Sequence, residues 1–284
     1  MRRVILTDKR WRRLLALLMA VCWAAPVTLG AHADVDARVA ALDRQIAANL
    51  RNGELYLKRA ELHRLHQDWD VALADYQRAE QLTPDLEVDF YRGRMWLDAG
   101  RLDLAKSALD HFLRIKPNHA NALRVRARVL ARRGDRLAAA ADLSKALARL
   151  HKPTPDLYLE RAQLLVSAGS AHIDGALRGI DQAIARFGPL VTLIQFAVDV
   201  ETNRGHHMAA LARIHTLPDV VKQLPTWMAR RGDILLVAGH RKEAKVAYTA
   251  ALTAIKRLPT QRRRTRAVVT LENRLRLLVT QAAY

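Results

Sequence analysis

Residues 69–84, WDVALADYQRAEQLTP, and residues 102–117, LDLAKSALDHFLRIKP, are two copies of one pattern. Four marked positions follow one another at spacings of four, three and five residues in both copies: Ala72, Tyr76, Ala79 and Pro84, then Ala105, Leu109, Phe112 and Pro117. A weaker copy consists of Ala139, Leu143 and Ala146. Spacings of three and four place side chains on one face of an α-helix, and a proline ends the helix. The pattern therefore predicts an amphipathic helix that recurs along the chain.

Glycines extend this pattern into a period. Five of them are separated by 34, 35, 36 and 34 residues: Gly100, Gly134, Gly169, Gly205 and Gly239. Each stands between a helical stretch with apolar periodicity and an alanine-rich stretch, where a tight turn between antiparallel helices needs a residue that tolerates positive φ. The repeated unit is predicted to be a helical hairpin.

The composition excludes most alternatives to a helical fold. Half of the 284 residues are apolar but only 5% are aromatic, so the core must be aliphatic. Twelve glycines and nine prolines are few for a protein of sheets and turns, and no segment alternates Val, Ile or Tyr with polar residues. We expect an all-α protein.

These hairpins resemble the tetratricopeptide repeat, whose unit of about 34 residues carries W-x₂-L-G-x₂-Y in its first helix and A-x₃-F-x₂-A with a proline in its second. Six units begin near Gly53, Leu86, Ala120, Pro155, Leu190 and Pro225. The resemblance implies a right-handed superhelix over residues 53–259, whose concave face is lined by the first helices. We expect a capping helix at residues 34–52 and a basic capping helix at residues 260–284.

The first 33 residues have the pattern of a secretory signal peptide. Six Lys or Arg side chains precede the apolar run from Leu14 to Gly30, which ends in Ala31-His32-Ala33. We expect cleavage after Ala33 and a periplasmic or secreted protein, with an uncleaved membrane anchor as the alternative. Cys22, the single cysteine, lies within this segment, so the mature chain would form no disulfide.

The resemblance also indicates candidate binding residues on the first helices. Glu61, Phe90 and Arg94 of the first two units are expected to face the concave side, as are Arg124 and Arg128 of the third. The arginines would take carboxylates of an acidic partner in fork geometry. The alternative is that they are solvated side chains paired with neighbouring acids. Members of the family that clamp a peptide carboxyl terminus use Lys, Asn and Arg, whereas the first unit has Leu57 and Glu61, which argues against that clamp.

Neither a metal site nor a catalytic site is expected. His63 and His66 stand three apart with Asp68 and Asp70 beyond, and His206-His207 form another pair, but the sequence brings no third ligand to either. The chain has no H-E-x-x-H, no G-x-S-x-G and no glycine-rich phosphate loop after a strand. We therefore predict no metal, no cofactor and no enzyme activity.

The C-terminal region supports a rival hypothesis. Arg262, Arg263, Arg264 and Arg266 lie in a chain of net charge +19. They could bind anionic lipid headgroups or another anionic polymer, or they could be the solvated face of the capping helix. Nucleic acid is not expected, because no aromatic residues are interleaved and export removes the chain from it.

We expect a non-enzymatic scaffold or adaptor of the bacterial envelope that binds a protein or peptide on its concave face. The alternative is a peripheral binder of anionic membranes or polymers through its basic C-terminal region, and a more distant one is an auxiliary subunit of an enzyme.

Overall fold

The computed structural model describes residues 27–85 and 87–281, and every regular element in these residues is helical. The protein is therefore all-α, as the sequence predicts. Most of the predicted signal peptide, residues 1–26, lies outside the described residues. The chain divides into two compact units, the first extending to Pro117 and the second beginning at Asn118.

The first unit contains five helices and two hairpins among its described residues. They are α1 (Val27–Ala48), α2 (Gly53–His66), α3 (Trp69–Leu82), α4 (Val88–Asp98) and α5 (Leu102–Ile115). Helices α2 and α3 pack together as repeat one, and α4 and α5 as repeat two. Helix α1 packs on α2 and begins before the expected position 34, so the predicted cleavage site after residue 33 falls within it.

The second unit contains, among its described residues, four hairpins and three further short or terminal helices. Its elements are α6 (Ala120–Arg133), α7 (Arg136–Arg149), α8 (Pro155–Ser167), α9 (Ile173–Phe187), α10 (Val191–Asn203), α11 (His207–His215), α12 (Asp219–Lys222), α13 (Pro225–Val237), α14 (Arg241–Lys256), α15 (Thr260–Arg263) and α16 (Arg266–Gln281). Repeats three to six are the pairs α6–α7, α8–α9, α10–α11 and α13–α14. A 3₁₀ turn at Ser170–His172 lies between the two helices of repeat four.

The C-terminal segment differs from the single helix expected at residues 260–284. Helix α15 ends at Arg263 and α16 begins at Arg266. Between them, the hydroxyl of Thr265 donates to the carbonyl of Arg262 at 2.8 Å. The same carbonyl also accepts the backbone N–H of Thr265 at 3.2 Å, an i+3 bond in place of the i+4 bond of a continuous α-helix. Helix α16 packs on α14 through the buried Leu275.

The hairpin turns use the left-handed backbone conformation that the glycine period predicts. Gly134 ends α6 with φ 90°, and the N–H of Asp135 donates to the carbonyl of Leu130 at 2.9 Å. Repeat one makes the same turn without glycine: Gln67 has φ 67°, and the next N–H donates to the carbonyl of His63 at 2.9 Å. Residues other than glycine pay about 1–2 kcal/mol in this conformation.

Small residues lie where the two helices of each hairpin meet. The first-helix positions are Ala60, Gly93, Ala127, Ala162, Ala197 and Gly232, and the second-helix positions are Ala72, Ala105, Ala139, Ala176, Ala210 and Ala244; every alanine among them has zero exposure. A Cβ built on Gly93 would lie 2.5 Å from Cγ of Leu109, and one on Gly232 would lie 2.4 Å from the ring of Tyr248. The helices therefore approach too closely for larger side chains.

Buried ion pairs join the two helices of repeats one and three. Arg59 donates to both carboxylate oxygens of Asp75 at 2.8 and 2.7 Å, and Arg126 donates to those of Asp142 at 2.7 and 2.8 Å. In both repeats the arginine directly precedes the small first-helix residue, and the aspartate follows the second-helix alanine by three positions. Both aspartates are almost fully buried. The bidentate geometry compensates their loss of hydration.

No helix in residues 27–85 and 87–281 is long and apolar enough to cross a membrane.

Candidate functional site

Glu61, a predicted binding residue, lies at the centre of a polar cluster in the first unit. Its carboxylate accepts a hydrogen bond from the hydroxyl of Tyr76 and another from Nε of Arg64 at 3.1 Å. Nη1 of Arg94 lies 3.3 Å from the other carboxylate oxygen. Two of the predicted binding residues, Glu61 and Arg94, are thus brought together and neutralise each other.

The cluster keeps the phenol of Tyr76 protonated. Burial raises the pKa of Tyr76 most, and the negative charge and hydrogen bond of Glu61 raise it further. Tyr76 has no solvent exposure, so its hydroxyl needs this internal acceptor. Glu61 is therefore held in place by α3 as well as by α4, and its geometry is fixed before any ligand binds.

The position of Phe90 differs from the expectation. Its ring is 9% exposed, with its centroid 5.8 Å from that of Phe112 and 5.3 Å from that of Tyr91. The guanidinium of Arg94 lies 5.6 Å from the Phe90 centroid and 5.9 Å from the Tyr91 centroid. Phe90 is thus a packing residue under Arg94. Arg94 matches the alternative given for the arginines, because it is paired with a neighbouring acid, Glu61.

The same arrangement recurs in repeat six, where the sequence analysis did not identify it. The hydroxyl of Tyr248 donates to Asp233 at 3.1 Å, and Nη2 of Arg274 donates to the other oxygen of that carboxylate at 2.9 Å. A signal was present in the sequence. In repeats one and six, a tyrosine stands four residues after the second-helix alanine, and an acid directly follows the small first-helix residue. The other four repeats have Leu or Ile at the first of these positions and a residue that is not acidic at the second. These pairs are Leu109 with Arg94, Leu143 with Arg128, Ile180 with Gln163 and Ile214 with Val198.

A groove of about 670 Å³ lies between α1, α2 and α4 of the first unit, and we call it the N-terminal groove. Its apolar lining includes Leu42, Leu57, Leu65 and the ring of Tyr91. Its charged lining consists of Arg38, Glu54, Lys58 and Glu61. Leu65 is 58% exposed although it lies beside the other apolar groups of this groove.

A second groove of about 640 Å³ lies between α10, α13 and α16 of the second unit, and we call it the C-terminal groove. It contains two ion pairs, Arg230 with Asp199 and Arg274 with Asp233. Its apolar lining includes Ile234, which is buried, and Val237, which is exposed. Because its charges are paired across the helices, this groove offers less free charge to a ligand than its lining suggests.

Arg124 and Arg128, the other predicted binding arginines, lie one turn apart on α6. Neither makes an ion pair with any acid in the part of the chain that the structure describes. Nη1 of Arg124 donates to Asn121 at 3.4 Å, while its Nε is buried without a partner among those residues. Arg128 is exposed. These two cations are free to contact an anionic group.

The basic C-terminal residues Arg262, Arg263, Arg264 and Arg266 are all exposed at the ends of α15 and α16. Within the described ranges none of them contacts an acid; Arg263 only donates to the hydroxyl of Thr260 at 3.5 Å. Their charges are therefore directed to solvent.

Neither histidine pair is part of a cluster of metal ligands in the described part of the chain. Nδ1 of His63 lies 3.7 Å from Asp68, and Nδ1 of His66 lies 3.6 Å from Asp36 and 4.0 Å from Asp68. Over residues 27–85 and 87–281, no three His, Cys, Asp or Glu side chains come together as metal ligands.

Solved structures of tetratricopeptide repeat proteins are similar to this chain. The C-terminal part of such a protein from Cytophaga hutchinsonii is 11% identical and superposes with a TM-score of 0.63, covering 84% of this chain and 94% of that chain. A tetratricopeptide repeat protein from Parabacteroides merdae is 17% identical, with a TM-score of 0.48, and covers 90% of this chain and 95% of that chain.

No protein-family model and no curated protein matches the sequence. The structural similarity to the Cytophaga protein therefore concerns the fold alone. It agrees with the recurring hairpins, their small contact residues and their left-handed turns. Together these features give the chain the fold of tetratricopeptide repeat proteins.

Proposed function

We propose that this protein is a non-enzymatic scaffold that binds a protein or peptide in the N-terminal groove. The observation that carries the proposal is the lining of the groove, where Leu57, the exposed Leu65 and the ring of Tyr91 surround about 670 Å³ of open space. Leu65 alone would gain about 1 kcal/mol from burial of its exposed part under a ligand. An apolar cleft with a few charged groups at its edge is typical of peptide recognition.

Charges at the groove favour a ligand that carries a carboxylate. Glu61 is already neutralised by Arg64 and Arg94, and Glu54 lies 3.8 Å from Lys58. Arg38 contacts no acid in the described part of the chain. A bound peptide would therefore meet one unpaired cation at the groove and no unpaired anion. Its preferred sequence combines apolar side chains with an acidic group.

The site of action that we propose is the bacterial envelope, after removal of residues 1–33. The support for this location is the basic start of the chain, the apolar run that follows and the small residues Ala31 and Ala33. The exported chain would remain basic and free of cysteine, because Cys22 lies in the segment removed.

Site-specific photo-crosslinking tests the groove. A benzophenone amino acid in place of Leu65 would report on the groove, and the same substitution at Val246 of α14, which is 67% exposed, is the matched control. We expect a discrete crosslinked partner from position 65 in an envelope extract and none from position 246. Equal crosslinking from both positions, or no adduct from position 65, would contradict binding in this groove.

A second candidate function rests on a separate observation. Arg262, Arg263, Arg264 and Arg266 are exposed and make no ion pair with the described acids. Such a cluster would hold the protein at an anionic membrane or polymer surface with about 1 kcal/mol per charge near the surface. The two functions are separable, because the groove lies in the first unit and the arginines lie in the second.

A further inference from the structure

Repeat four lacks a carboxylate that repeats one and three contain. The arginine before the small first-helix residue is Arg59 in repeat one and Arg126 in repeat three, and each is paired with a buried aspartate of the second helix. The equivalent arginine of repeat four is Arg161, which precedes Ala162. Three residues after the second-helix Ala176 stands Gly179 instead of aspartate. Repeat four therefore has the arginine but not the aspartate that pairs with it in repeats one and three.

The guanidinium of Arg161 is half-buried against α9. A Cβ built on Gly179 would lie 2.5 Å from its Nη1, so the guanidinium rests directly on this glycine. Its Nε donates to the hydroxyl of Ser144 on α7 at 2.6 Å. Ser144 in turn donates to the carbonyl of Ala140 at 2.8 Å. Neither Nη of Arg161 has an acidic partner in residues 27–85 and 87–281.

A second cation lies beside it. Arg178 is exposed, contacts no described acid, and its Nη2 lies 3.9 Å from the Cβ position of Gly175, one turn before Gly179. Burial lowers the pKa of Arg161, and the positive charge of Arg178 lowers it further. Two like charges on one glycine-lined surface of α9 repel each other, and an added anion would relieve that repulsion.

We propose that Arg161 and Arg178 form a carboxylate-binding site on repeat four, which takes an acidic side chain of a protein partner. The class of ligand follows from repeats one and three, where the same arginine position binds an aspartate in fork geometry. The source of the carboxylate follows from charge complementarity, because the chain remains basic after removal of residues 1–33 and a basic chain attracts acidic proteins. This inference rests on the proposed function of protein binding but uses a site outside both grooves.

A labelled peptide with two aspartates in a glycine–serine background serves as the probe, with the matching asparagine peptide as its control. We expect Arg161→Gln to weaken binding of the aspartate peptide by about tenfold. The matched variant Arg257→Gln removes an equal charge from an exposed position on another part of the unit and should change binding by less than about twofold. Fluorescence anisotropy measures both, and circular dichroism verifies that both variants are folded.

A second variant supplies the missing carboxylate within the chain. Gly179→Asp would place an aspartate where repeats one and three have theirs, and only the mobile end of Arg161 would have to move. We expect this variant to melt at a higher temperature than the wild type and to lose binding of the aspartate peptide by about tenfold. Gly179→Asn has nearly the same shape without the charge, and it should retain more of the binding than Gly179→Asp.

Three outcomes would overturn the proposal. One is equal weakening by Arg161→Gln and Arg257→Gln, which would indicate general electrostatic attraction. Another is equal binding of the aspartate and asparagine peptides to the wild type. The third is free succinate binding as tightly as the aspartate peptide, which would contradict a protein partner as the source. None of these measurements involves Leu65, so failure of the crosslinking experiment at the N-terminal groove is distinguishable from failure here.

Discussion

The hydroxyl of Tyr76 donates a hydrogen bond to the carboxylate of Glu61, and it thereby joins the second helix of repeat one to its first helix. The relationship recurs between Tyr248 and Asp233 of repeat six. In both repeats an arginine from a later helix also contacts the acid, Arg94 in one and Arg274 in the other. Each tyrosine therefore positions an acid that lines a groove.

Replacing Tyr76 by Phe tests this arrangement. The ring would keep its packing, but Glu61 would lose one of its two hydrogen bonds, so we expect the free energy of unfolding to fall by about 1 kcal/mol. Tyr91→Phe is the control, because no hydrogen bond to the Tyr91 hydroxyl is present among the described residues. Urea denaturation of both variants measures the difference. Equal stability of the two would show that the bond to Glu61 contributes nothing.

Alkaline pH should reduce the stability of the fold through the same two tyrosines. Burial and a neighbouring carboxylate raise the pKa values of Tyr76 and Tyr248 above the ordinary value of 10.0. A phenol whose pKa is raised by folding stabilises the protein fully below its unfolded pKa, and this contribution is lost as the pH rises above about 10. Melting temperatures between pH 8 and pH 11 should therefore fall more steeply for the wild type than for the variant with both tyrosines changed to Phe. Parallel curves would contradict the raised pKa values.

Much of the fold is predictable from the spacing of small residues. The second-helix alanines Ala72, Ala105 and Ala139 were identified from their spacing in the sequence and have zero exposure, because closely packed helices require small side chains at regular intervals. The two tyrosine–acid pairs were not predicted. Each hydrogen bond joins a residue of the second helix to one of the first, and the spacing of residues within a single helix does not reveal such a contact. The burial of Phe90 was missed because it depends on Phe112, which lies in the next helix. The break between α15 and α16 involves a side-chain bond of Thr265 that no spacing reveals.

Repeat one is an exception to the glycine period, because its turn has Gln67 in place of glycine, and this exception predicts a stabilising change. Gln67 adopts φ 67° at the turn where the later repeats use glycine. Gln67→Gly should raise the free energy of unfolding by about 0.5–1 kcal/mol, because relief of the strained conformation exceeds the added flexibility of the unfolded chain. Gln77→Gly makes the same chemical change within helix α3, where it should lower the free energy of unfolding by about 1 kcal/mol. Destabilisation by both changes would show that the side chain of Gln67 makes contacts worth more than its strain.

Export can be checked directly. The chain expressed in a Gram-negative host should be recovered from the periplasm or the medium with Asp34 at or near its amino terminus, because Ala31 and Ala33 provide the small residues that signal peptidase requires. Mass spectrometry of the intact protein measures the mass lost. Recovery of the uncleaved chain from the cytoplasm would contradict the proposed location, whereas an uncleaved chain in the membrane fraction would support the anchor alternative.

The most direct test of the central claim is the affinity of the purified crosslinked partner for two variants at two salt concentrations. Leu65→Asp alters the N-terminal groove at an exposed position, and the combined change of Arg262, Arg263 and Arg264 to Gln alters the basic end. If the groove binds the partner, Leu65→Asp weakens binding by about tenfold or more at both salt concentrations, while the arginine variant binds like the wild type. Loss of affinity in the arginine variant alone, with strong dependence on salt, would contradict binding in the groove and favour the anionic surface.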